Sequence, residues 1–149
     1  MQILALAGAG MVLLLTIGAG IVAHELSHAA VLYILGIHCD IDIGPEQAGT
    51  SLFDANVLGP WASVTPREIS PGTSAWALRL SSVAPLALAV PFVTVAAGIV
   101  PDPLQAGSPL LSAWTVGWLA CAIPSPQDFS VFWYAEQAVD EQTAEPSEV

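Results

Sequence analysis

The sequence predicts an all-α membrane protein with about three transmembrane helices and a short β-containing loop after the first. Hydrophobic residues make up 54% of the 149 residues and charged ones only 10%, with a mean hydropathy of +0.68. That composition belongs to integral membrane proteins rather than soluble domains. The apolar residues fall into three stretches, about 3–37, 75–100 and 109–135, each as long as or longer than the roughly 20 residues that suffice to span a bilayer. Thirteen acids stand against two arginines, with no lysine, for a net charge of -11. A polybasic surface for nucleic acid or anionic lipid is therefore excluded. Acidity of this kind resembles the proteins of salt-loving archaea.

The first stretch is uncharged from Met1 to Cys39 except around His24-Glu25-Leu26-Ser27-His28. It lacks a basic start and exceeds the usual signal-peptide core of about 7 to 15 apolar residues, so it is expected to be a retained helix. Gly8, Gly10, Gly18 and Gly20 are spaced to allow close helix contact, and Gly36 is a plausible stop. From Asp40 to Ile43 polar and apolar residues alternate as in a half-buried strand, which Gly44-Pro45 should end. The region 46–74 is rich in Gly, Pro, Ser and Thr and reads as a surface loop with one or two short strands. Trp61 and Trp76 suit the interface level. Pro85 and Pro91 should kink the second span, and Pro101-Asp102-Pro103 should turn the chain into the third. The third is broken at 124–128 by Pro124 and Pro126. Residues 1–135 read as a single core, and 136–149 as an acidic, disordered tail. Arg67 and Arg79 flank the loop after the first span, which by the positive-inside rule would place that loop and the C-terminus in the cytoplasm.

Ionisable side chains inside a membrane helix cost roughly 2.5 to 3.5 kcal/mol on insertion scales and mark functional sites. On a helix, His24 and His28 project from one face a turn apart, so both imidazoles can meet one metal ion, and Glu25 lies within about 100° of either. Zn²⁺ accepts neutral imidazole, and its catalytic sites use three protein ligands and leave a position for water. Glu25, adjacent to the first ligand, suits a general base. A third ligand must come from elsewhere. Asp128 is the only acid between Asp102 and Glu136, and the prolines before it would turn a carboxylate inward. The competing role for Asp128 is a helix cap. His38, ten residues past His28 and beyond Gly36, reads as interfacial rather than ligating. Cys39 and Cys121 form no metal pattern and read as packing residues.

The run Ala23 to Ala30, with Leu35-Gly36-Ile37 and the strand after it, resembles the first core helix of the site-2 protease family of intramembrane zinc metalloproteases. Ser82-Val83-Ala84-Pro85-Leu86-Ala87 is similar to the family's second motif, and Ile123 to Asp128 to its proline-rich third. The resemblance implies zinc held by His24, His28 and Asp128, with Glu25 as catalytic base. It also implies a transmembrane protein substrate and a multi-pass location in the cell membrane. The chain departs from the family pattern at Phe129, where glycine is usual, at Gln127, where an aliphatic residue is usual, and at Leu88 and Ala120 to Ala122, where asparagines are expected. Two other readings stand beside this one. The first is a catalytically silent, metal-binding or helix-binding scaffold of the same lineage. The second is a small transport subunit, which would need more intramembrane acids or histidines than Asp128 alone.

Overall fold

A computed structural model of the chain describes residues 2–43, 62–66 and 74–144. The elements run α1 (Gln2–Ile34), β1 (Cys39–Ile43), β2 (Ala62–Pro66), α2 (Ala75–Ser82), a 3₁₀ segment (Ala84–Ala89), α3 (Val90–Ala96), α4 (Pro109–Cys121) and α5 (Pro126–Ala144). The chain is mostly helical. Two stretches, Gln2–Ile34 and Ala75–Ala96, are long and apolar enough to cross a membrane.

α1 has 33 residues and is roughly 50 Å long at 1.5 Å per residue. It ends as expected at Gly36. With φ +76, Gly36 lets the Ile37 N–H reach back to the Leu32 carbonyl at 2.9 Å, while its own N–H meets the Tyr33 carbonyl at 3.0 Å. This is a Schellman closure, and it buries Ile37 at the helix end. β1 follows where alternation placed a strand, and pairs antiparallel with β2 from Cys39↔Pro66 to Ile43↔Ala62. Gly44-Pro45, Trp61, Arg67 and most of the 46–74 loop lie outside the described residues.

The long helix packs chiefly against α4, and small residues set the distance. A Cβ on Gly20 would lie 2.6 Å from the Cys121 sulfur, and one on Gly117 would lie 3.1 Å from Leu13. Gly8 approaches Leu110, whereas Gly10 and Gly18 face open space. At the other end a cluster of Leu32, Ile37, Ala77, Leu78 and Ala135, flanked by Cys39, Val64 and Val139, joins α1, the sheet, α2 and α5.

The third span is broken, as expected, but the break falls at 122–125 rather than 124–128: α4 stops at Cys121 and α5 starts at Pro126. α4 alone is about 20 Å long, short of the ~30 Å hydrocarbon core. Residues 136–144, expected to be disordered, continue α5. The Ala135/Val139 pair, four apart, supplies an apolar contact to the core cluster, and the Glu, Gln and Ala around it are good helix formers.

Candidate metal centre

α1 presents His24 and His28 toward the bundle, 8% and 7% exposed, with ring centroids 4.9 Å apart. Asp128, in the first turn of α5, faces them. Its Oδ2 is 3.2 Å from His24 Nε2 and its Oδ1 is 3.1 Å from His28 Nε2. The structure thus brings together three residues predicted as ligands from two ends of the chain, and this group could hold a metal ion. His38 is exposed and stands outside it.

Each imidazole is fixed by its other nitrogen. His24 Nδ1 lies 2.7 Å from the Cys121 carbonyl and His28 Nδ1 lies 2.8 Å from the Ser81 carbonyl. A carbonyl only accepts, so both Nδ1 atoms carry the proton, and each Nε2 of a neutral ring turns a lone pair toward the carboxylate.

Proline makes both carbonyls available. The Ser81 carbonyl would pair in a continuing helix with residue 85, which is Pro and has no N–H. The Cys121 carbonyl has Pro124 three residues on and Ser125 four residues on. The Ser125 N–H instead donates to Asp128 Oδ2 at 2.6 Å. Ser125 Oγ accepts in turn from the Asp128 N–H at 3.2 Å, a reciprocal capping box. Ligand and cap were rival roles for Asp128. Ser125 is the cap, and Asp128 closes the box while its carboxylate still reaches both histidines.

The residues fit a cation on two grounds. His28 Nε2 is buried and, although near Oδ1, has no hydrogen-bond partner. A cation between the rings and the carboxylate would give that atom a partner together with His24 Nε2 and an Asp128 oxygen. One ligand atom from each of the three residues also lies within 4.8 Å of the other two. Glu25, half-buried on α1, lies within electrostatic range of His28, His24 and Asp128.

Sequence reasoning missed the two orienting carbonyls and Ser125. For the Ser81 carbonyl the signal was present in Pro85, four residues on, which has no N–H to give it. No known protein family, curated protein or solved structure matches the chain.

Proposed function

We propose that the chain is an intramembrane zinc metalloprotease of the site-2 protease kind, hydrolysing a peptide bond in or near a transmembrane segment of a substrate protein. The observation that carries this reading is the convergence of His24, His28 and Asp128 beside Glu25 in an apolar helical setting. Two imidazoles and one carboxylate form a ligand set typical of catalytic zinc, with a fourth position for water. When bound, Zn²⁺ supplies Lewis-acid polarisation of the scissile carbonyl and activation of water.

The chain's own residues do the rest. The Cys121 and Ser81 carbonyls hold the two rings in one tautomer and one orientation. Ser125 fixes the Asp128 carboxylate through its N–H. Glu25, adjacent to a ligand without being one, takes a proton from the attacking water and returns it to the leaving amine nitrogen. The apolar flanks of α1 suit lipid and a substrate helix, and the proposed location is a multi-pass position in the cell membrane.

The test is metal analysis of the purified protein beside cleavage of transmembrane peptides, with wild type and Glu25→Gln. The amide keeps the shape but cannot accept the proton, so zinc should remain while cleavage falls by about 10²- to 10⁴-fold. Undiminished cleavage removes the general-base assignment. Metal binding by the wild type with no cleavage of any transmembrane peptide would favour the silent scaffold, a reading to which Phe129, half-exposed next to Asp128 in place of glycine, gives some support.

A further inference from the structure

We propose that Arg79 is a positioning residue for the metal centre, clasping α5 to α2 so that Asp128 stays in register with His24 and His28; this rests on the metal reading above.

α5 carries Asp128 to the site, yet its main packing partner is α2 rather than α1. The ligand therefore reaches the histidines from a helix whose position α2 decides. Arg79 is the only lysine or arginine among the described residues, and it spends both arms of its guanidinium on α5. Nε donates to the Phe132 carbonyl at 3.2 Å and Nη2 to Glu136 Oε1 at 2.9 Å. Asp128, Phe132 and Glu136 are spaced four apart, the spacing that places residues on one helix face. Between the two contacts the helix kinks at Tyr134 (φ -102, ψ 15). The guanidinium thus bridges the kink, tying down the turn after Asp128 and the turn beyond the bend.

Two residues along α2 from Arg79, the Ser81 carbonyl accepts from His28 Nδ1. One short helix therefore sets both the orientation of a histidine and the place of the carboxylate that faces it. The planar guanidinium, with donors on separate nitrogens, can serve a backbone carbonyl and a carboxylate at once; an ammonium group is a single point charge. The Arg79–Glu136 pair is partly exposed, the Glu136 side chain at 71%, and such pairs add little to overall stability. The consequence of losing the clasp is a change in register more than a loss of fold.

The test measures zinc affinity of the full chain in detergent by competition with a chromophoric chelator, together with the absorption spectrum of the Co²⁺-loaded protein. Arg79→Gln should weaken zinc binding by about 10- to 100-fold, the range seen when a group that orients a ligand is lost. Arg79→Lys should fall between it and wild type, and the Co²⁺ bands of both should shift toward those of Asp128→Ala. In an Asp128→Ala background Arg79→Gln should weaken binding no further, because its effect passes through that carboxylate. Equal weakening in both backgrounds, or none in either, overturns the proposal. If Arg79→Gln fails to fold, Glu136→Gln removes the other end of the clasp at an exposed side chain and should weaken zinc several-fold with the same dependence on Asp128; unchanged affinity there overturns it equally. Wild-type protein that binds neither ion defeats the metal reading itself, whereas wild-type binding with unmoved variants defeats the role of Arg79 alone.

Discussion

At the scale of the residue, Asp128 serves three neighbours in two roles. Oδ2 accepts from the Ser125 N–H and also faces His24, while Oδ1 faces His28. The two roles can be separated by chemistry. Asp128→Asn keeps a side-chain oxygen for the Ser125 N–H but loses the charge. It should fold with little loss, since a whole cap is worth only about 0.5 to 2 kcal/mol. Zinc affinity should nevertheless fall by more than about 100-fold, beyond the range for outer groups, because a ligand has lost its charge. Asp128→Ala should lose both the bond that closes the capping box and the metal. Isothermal titration or chelator competition on the folded variants measures the difference, and full zinc occupancy in either would mean that His24 and His28 use another partner.

Among the elements, a single device recurs: a proline denies a helical carbonyl its N–H, and a ring nitrogen takes that carbonyl instead. Pro85 does this for Ser81 and His28; for Cys121 and His24 the N–H three residues on is missing at Pro124 and the one four residues on, of Ser125, goes to Asp128. In the 3₁₀ segment, where a carbonyl pairs three residues on, the Leu88 carbonyl meets Pro91 and accepts instead from Trp118 Nε1 at 3.0 Å. Pro85→Ala restores an N–H where the Ser81 carbonyl can use it, so α2 should extend and compete with His28 Nδ1. Zinc affinity should drop by about tenfold or more while helix content rises or holds. An unchanged affinity would show that the proline is there for packing alone. The same device explains how far the sequence could be read. The three residues of the candidate centre were legible because the His24/His28 spacing and the isolation of Asp128 are local patterns. Gly36 was legible because only a left-handed residue closes α1 there. The end of α4 at Cys121 was misplaced because hydropathy continues across Ile123 to Phe129 while the backbone does not. The helical stretch 136–144 was missed because its apolar contacts, Ala135 and Val139, are few and small, and their value comes from α2.

For the whole molecule, the candidate metal centre is the point where the two ends of the chain meet, His24 and Asp128 being 104 residues apart. α1 and α4 are joined by close backbone approach at Gly20 and Gly117, which requires no metal. α5 is attached differently, through Ala135 and Val139 on α2, the Arg79 clasp and Asp128 at the site. Removing the metal should therefore loosen one region in preference to the rest. A ligand present at 100 times its dissociation constant stabilises the state that binds it by about 2.7 kcal/mol, which is roughly 100-fold in an opening equilibrium. Local openings carry their own free energies, so that change should appear where the bound state differs most from the open one. With a chelator, amide hydrogen exchange across α5 should accelerate by up to about 100-fold, while the α1 and α4 amides around Gly20 and Gly117 stay nearly as protected as before. Asp128→Asn should exchange like the chelated wild type and respond little to added zinc. Uniform acceleration of α1, α4 and α5 would instead mean that the metal supports the entire bundle, and the view of α5 as a separately held arm would have to be abandoned.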